Sequence, residues 1–360
     1  MKKVLHIIDS MWLWWAQTVV KWIFEWQKDN HDIYTYALRK RDINIEIEHR
    51  NIFSDTSKNK FNFPILKLKK FIIDNEIEVL HRHLAKSQIM WFLLKKIFFS
   101  DIKLILHEHG QILEKWKIYP FLMNIFRQHV DIYIAVSRWT KESILNKTAY
   151  KKDKIHILYN YVDLDKFKKI DGFNLSLERK KYWVTEKDYV IGFASRLVED
   201  KWWKEFTSAA KILSKKYPNM KFIIWGDGID KEKIQDYITK NHLSEKIFLV
   251  WYIQDMPDFY NCLDCFVFPS HRESLWLTWL EANACWCPVV ASDIPGLNEL
   301  MIDEDNALLF DVWNSKILQE KILLIIEDAS LRDRIIWNGR KKVKEFNLEK
   351  YIINLNKIYG

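Results

Sequence analysis

Two glutamates eight residues apart, Glu273 and Glu281, stand in the segment 268–293, FPSHRESLWLTWLEANACWCPVVASD. The pattern reads as a strand ending at Pro269, a loop carrying Glu273, and a helix that opens near Leu275 with Glu281 two turns inside it. The first backbone N–H groups of a helix lack intrahelical partners, so the mouth of such a helix is ready to bind a diphosphate. A carboxylate further along can accept hydrogen bonds from the hydroxyls of a ribose. A cationic pair, Arg196 and Lys201, follows the strand-like run YVIGFAS at a spacing of five. Two cations just beyond a strand suit an anionic leaving group. By residue type alone all four could be surface charges; their placement at strand ends makes them candidates for one site.

Three further clusters have a chemical reading and a plainer one. The H-x-H pairs His81/His83 and His107/His109 put two imidazoles on one face of a strand, a spacing open to metal ligation. Cys262/Cys265 and Cys285/Cys287 have zinc-like spacings. Cys265 opens a buried strand pattern and Cys285 closes a helix, so they are expected to be small packing residues. DLD at 163–165 and DED at 303–305 imitate a metal-binding D-x-D, but they fall in a connector and a turn and are expected to be solvated.

The elements that must position these residues alternate from end to end. KVLHIID, EVLH, KLILHE and DIYIAVS in the first half, and YVIGFAS, MKFIIW, KIFLV, DCFVFPS and PVVAS in the second, are separated by amphipathic stretches such as 204–217. Strands alternating with helices predict βα units and parallel sheets. At 360 residues two domains are expected: residues 1–165, then 175–340 beyond the polar connector near 160–178. Helical segments are expected at about 315–328, 330–345 and 347–359 with no further sheet, and 341–360 is expected to pack back on the first domain. Ligands of doubly wound domains bind at the carboxyl ends of the strands, here in a cleft between the two.

Composition narrows the class. Two lysines precede an apolar run at the N-terminus, but the run ends at Asp9 without a cleavage site and reads as a strand. The most apolar stretch, 90–99, is interrupted by Lys95 and Lys96 and is far short of the ~20 residues of a membrane span. A cytoplasmic protein is expected. Residues 1–170 carry 30 Lys and Arg against 19 Asp and Glu, a net +11 within a total of +8. A basic half with segments such as ILKLKKFI suits the anionic inner face of a cell membrane, or is simply a set of solvated helices. No recognisable motif for nucleic acid accompanies it.

The 268–293 segment resembles the donor site of the retaining glycosyltransferases of family 4, in which two glutamates separated by seven residues mark the donor-binding helix. The resemblance extends over nearly the whole chain. IGFASRLVEDK is similar to the strand and loop whose Arg and Lys hold the donor diphosphate, here Arg196 and Lys201. FIIWGDG, DNALLFDV and FLVWYIQDMPDFYNCLDCFVFPS, which contains Tyr252 and Ile253, align with family segments. SMWLWWAQTVV resembles the opening glycine-rich loop, with Trp14 and Trp15 inside it. EVLHRHLA resembles a strand ending in His, and LILHEHG the strand whose last His, here His109, faces the donor sugar.

The resemblance implies a GT-B fold, two Rossmann-like domains facing across a cleft, and a sugar transfer that retains anomeric configuration. Arg196, Lys201 and the backbone around Leu275, Trp276 and Leu277 would stabilise the departing nucleoside diphosphate. Glu281 would hold the ribose, Glu273 the sugar hydroxyls, and His109 would orient the sugar, with Tyr252 and Ile253 on the donor. No metal or cofactor is implied, so electrostatic stabilisation of the leaving group carries the chemistry. The implied partners are a UDP-, GDP- or ADP-sugar and a saccharide or lipid-linked acceptor of cell-surface polysaccharide or glycolipid synthesis. A sugar-nucleotide epimerase or phosphorylase, or a non-catalytic binding protein, would share the architecture. A dinucleotide oxidoreductase lacks support, since no G-x-G-x-x-G followed by an acidic residue occurs.

One departure from the family pattern is systematic. The chain has 18 Trp and only 8 Gly among 360 residues, whereas glycine is ordinarily near 7%. Together they make 26 residues, an ordinary glycine share. Trp14, Trp15, Trp183, Trp202, Trp251, Trp276, Trp286 and Trp313 all fall where the family has glycine. Glycine supplies positive φ and lets backbone approach a phosphate, which an indole prevents. Trp14, Trp15 and Trp276 are expected to crowd the diphosphate. A gene whose UGA codons mean glycine, read as tryptophan, would produce this pattern, and so would deliberate substitution.

Overall fold

The structure, a computed structural model, describes residues 1–8, 31–37, 52–54, 65–83, 101–109, 118–250, 255–273 and 276–360. Trp14, Trp15, Trp251, Tyr252, Ile253 and Leu275 lie outside the described residues. Two compact units emerge, Met1–Asn160 with Glu349–Gly360, and Tyr161–Leu348.

The first unit is built on β1 (Lys3–Ile8), β2 (Asp32–Ala37), β3 (Ile52–Ser54), β4 (Val79–His83), β5 (Lys103–Glu108), β6 (Ile132–Ala135) and β7 (Ile155–Ile157). They form one parallel sheet in the order β3-β2-β1-β4-β5-β6-β7. The order reverses between β1 and β4, as in doubly wound folds. The period of two divides each central strand between two buried faces. Leu5, Ile7, Leu80, Leu104 and Leu106 join a core with Leu68 and Ile72 of the helix Ile65–Asp74 and Tyr119 and Met123 of the helix Ile118–Phe126. The alternate positions His6, His81, His83 and His107 form the other face, equally buried. From Glu349 onward the helix Leu348–Tyr359 belongs to this unit, and the Lys103 ammonium donates to its last carbonyls, Ile358 O at 2.8 Å and Tyr359 O at 3.0 Å. A cation there satisfies carbonyls that a helix end leaves unpaired.

The second unit holds β8 (Tyr189–Ala194), β9 (Met220–Trp225), β10 (Ile247–Val250), β11 (Cys265–Phe268), β12 (Val289–Ser292) and β13 (Leu308–Phe310). Its parallel sheet runs β10-β9-β8-β11-β12-β13. Helix Trp203–Lys216 covers it through Phe206, Ala209, Ala210 and Leu213. The sequence pattern missed four strands, β2, β3, β7 and β13. β3, β7 and β13 have three residues each and lie at sheet edges, where a neighbouring strand rather than local propensity defines them. The expectation of no sheet after 292 is thus corrected by β13.

Candidate functional site

Residues expected at one site fall in both units, His109 in the first and the donor residues in the second. In the second unit Arg196 and Lys201 lie on the loop after β8, and two glycines hold that loop. Gly226 (φ 146°) and Gly228 (φ 159°) bring the loop after β9 so close that a Cβ would sit 1.9 Å from the Ser195 carbonyl oxygen and 2.3 Å from that of Leu197. Leu197 N–H donates to Asp227 O at 2.9 Å, and Asp230 N–H to Leu197 O at 3.0 Å. Arg196 is exposed. Lys201, mostly buried, forms an ion pair with Glu273 of the loop after β11. The two residues assigned to the diphosphate and the sugar hydroxyls therefore meet, although 72 positions separate them in sequence.

The adjoining helix is Leu277–Ala284, so it starts two residues later than the pattern suggested and Glu281 lies just over one turn in. All eight of its residues are buried, no side chain caps its start, and no acidic residue occupies its first turn. A helix start offers its dipole and its first N–H groups to an anion. Glu281 is buried and accepts a hydrogen bond from the Tyr260 hydroxyl at 2.9 Å. Loss of solvent pushes its carboxyl up to about 8, so it is held as the neutral acid at neutral pH. Tyr260, in the helix Met256–Cys262, was not singled out from sequence, because nothing in DMPDFYNC tells a packing tyrosine from one with a hydroxyl partner.

His109 directly follows β5 in a fully desolvated setting, 2.8 Å from His83 through Nε2, and burial lowers its pKa to about 3. It is a neutral imidazole. The four cysteines are free and buried, as expected of packing residues. Asp163 accepts from the backbone N–H groups of Asp165 and Lys166 at 3.0 and 3.1 Å. Asp303 pairs with Lys321, and Asp305 accepts from Asn338 at 2.8 Å. Both D-x-D runs thus serve local structure.

The sequence profile described as glycosyl transferases group 1 matches residues 176–342, and that described as glycosyltransferase family 4 matches residues 16–166. The chain belongs to this family of glycosyltransferases. It is 30% identical over 216 residues to the capsular polysaccharide biosynthesis glycosyltransferase CapM of Staphylococcus aureus, covering 59% of this chain and 56% of CapM. It is 26% identical to the glycosyltransferase MJ1059 of Methanocaldococcus jannaschii over 98% of this chain and 96% of that one. The crystal structure of Anabaena HepE in complex with UDP and glucose superposes with a TM-score of 0.86 at 19% identity, covering 100% of this chain and 99% of HepE. The fold of this glycosyltransferase is therefore GT-B, and its group 1 profile spans every candidate donor residue named in the second unit. Among the described residues no helix is long and apolar enough to cross a membrane.

Proposed function

We propose that this glycosyltransferase transfers a hexose-type sugar from a nucleoside-diphosphate donor, with retention, to a saccharide or lipid-linked acceptor of cell-surface polysaccharide synthesis. The observation that carries the reading is the Lys201–Glu273 pair beside the uncapped start of helix Leu277–Ala284, with Glu281 buried one turn further in. Lys201, Arg196 and the first-turn N–H groups supply positive potential for the diphosphate as the anomeric C–O bond breaks. Glu281 takes a ribose hydroxyl and Glu273 the sugar, and His109 of the first unit orients that sugar. No metal is assigned a step. CapM, named for capsular polysaccharide, supports the acceptor class, and HepE, solved with UDP and glucose, supports a uridine donor. The basic first half supports work at the anionic inner face of the membrane.

A thermal-shift screen of UDP-, GDP- and ADP-sugars tests the donor class. A ligand bound only by the native state adds about 2.7 kcal/mol at a hundred times its Kd. Glu281→Ala should weaken donor binding, while Lys201→Ala should lower turnover more than affinity. Unchanged kinetics in both variants would end the assignment. Turnover of a sugar nucleotide without any acceptor would mark an epimerase instead.

A further inference from the structure

The histidine face of the first sheet contains one continuous hydrogen-bonded chain. His109 Nε2 meets His83 Nδ1 at 2.8 Å, and His83 Nε2 meets His6 Nδ1 at 2.9 Å. His6 Nε2 meets the Tyr359 hydroxyl at 3.2 Å, and the hydroxyl meets His81 Nδ1 at 2.7 Å. His81 Nε2 then meets His107 Nδ1 at 3.2 Å. The outer nitrogens, His109 Nδ1 and His107 Nε2, are buried and without a hydrogen-bond partner among the described residues.

Every link joins an Nε2 to an Nδ1, directly or through the hydroxyl. A neutral imidazole carries one proton and a phenol one, so six groups supply six protons for five links and two ends. Each link takes one, and the sixth can sit at only one end. Two arrangements result, with all five rings protonated on Nε2 or all five on Nδ1. A reversed inner ring would leave one link without a proton and another with two, and a reversed end ring one faulty link, a costly fault where no water can repair it. The same nitrogens could be read as metal donors, since His6, His81 and His83, and His83, His107 and His109, group within 4.8 Å. Zinc at about 2.0–2.1 Å sets tetrahedral donors about 3.3 Å apart. The two closest contacts, 2.8 and 2.9 Å, are hydrogen-bond lengths instead.

We infer that His83, His6, Tyr359, His81 and His107 are positioning residues for His109, a single unit that ties its tautomer to that of the other four rings. The part His109 plays in catalysis rests on the glycosyl-transfer reading; the chain does not. Nitrogen NMR of histidine-labelled, full-length protein should find all five rings neutral and in one tautomer. Tyr359→Phe cuts the chain between His6 and His81, so the His81–His107 pair should become free to adopt the other tautomer. With the transfer reading correct, kcat should fall about tenfold at constant donor KM, the loss of one hydrogen bond. Mixed tautomers in the unaltered protein, or one equivalent of zinc bound at these nitrogens, overturn the chain. A uniform tautomer with an unchanged kcat in Tyr359→Phe overturns the role of His109 alone.

The tryptophans carry a second, independent inference. Trp183, Trp202, Trp286 and Trp313 have φ of 58°, 53°, 63° and 72°, whereas Trp276, the other described member of the eight glycine-like positions, has φ −100°. None of the remaining described tryptophans has positive φ. The surrounding hydrogen bonds define glycine sites. Val184 N–H donates to Arg179 O and Trp183 N–H to Lys180 O. Cys287 N–H donates to Ala282 O and Trp286 N–H to Asn283 O. Both are the paired closure of a helix whose left-handed residue is by preference glycine. Trp313 is the third residue of the turn closed by Asn314 N–H to Asp311 O. Trp202 and Trp313 also crowd each other edge to face at 3.6 Å, well inside the ~4.5–7 Å that aromatic pairs need.

We propose that these positions are glycine in the working protein, encoded by UGA. UGA at codons 183, 202, 286 and 313 supports this, and UGG there overturns it. Independently, Trp183→Gly and Trp313→Gly should each raise Tm by about 2–4 °C by relieving a left-handed strain. Trp337→Gly, at an exposed position inside a helix, should lower it. A fall in Tm at all three overturns the backbone argument.

Discussion

The histidine face of the first sheet and the surroundings of Glu281 in the second unit both bury titratable groups, and burial moves them in opposite directions. His6 and His109 fall to about 3 and His81, His83 and His107 well below their usual value, mainly through desolvation. Glu281 rises to about 8 for the same reason. In both places the neutral form survives, because the charged form has lost its water. The difference lies in how each is satisfied. The histidines are linked to one another and to Tyr359 in a chain, whereas Glu281 depends on a single tyrosine hydroxyl among the described residues. The first arrangement is a continuous chain whose unpartnered nitrogens, among the described residues, lie at its two ends, His109 Nδ1 and His107 Nε2. The second leaves a carboxyl with spare capacity beside a helix mouth, which is what a binding site requires.

The opposed shifts give the two units opposite pH dependence. Native histidines with depressed pKa bind fewer protons than unfolded ones, so their stabilisation is complete above about 6.5 and is lost as pH falls toward 3. Acid should therefore open the first unit first. Scanning calorimetry between pH 7 and 4 is expected to show its transition falling by on the order of 10 °C, with uptake of several protons. Glu281 works the other way. Its native pKa is raised, so the stability it contributes is present below about 4.5 and is lost as pH rises through about 8. Glu281→Gln should be more stable than the parent by about 1–3 kcal/mol at pH 9 and little different at pH 5. Equal pH curves for the two proteins would break the comparison. Tyr260→Phe should have the smallest effect, about 1 kcal/mol, and should push the Glu281 carboxyl higher still, since its hydroxyl lowers that pKa. Carboxyl titration by isotope-edited infrared spectroscopy measures it.

Much of this contrast was invisible in the sequence. The H-x-H pairs were legible as two imidazoles on one face of a strand, and Glu273 and Glu281 as carboxyls around a helix mouth. The partners that decide their chemistry were not. Tyr359 reaches His81 across 278 positions, and Lys201 reaches Glu273 across 72. The D-x-D runs looked alike on paper, and only their hydrogen bonds showed that both were structural.

By itself the sequence determined the alternation of strands and helices and the two-unit plan, while its resemblance to the family marked the candidate donor segments and the positions Trp183, Trp202, Trp286 and Trp313, where the backbone is left-handed. These are local properties, written in periodicity, residue type and spacing. Tertiary structure alone decided the order of the strands and the existence of the three-residue edge strands. It decided the neutrality of Glu281, and it joined five histidines and a C-terminal tyrosine into one chain. The physical reason is common to all of them. Strand pairing, desolvation and hydrogen bonding between distant groups are set by what packs alongside a residue, and in a parallel sheet that neighbour comes from tens or hundreds of residues away.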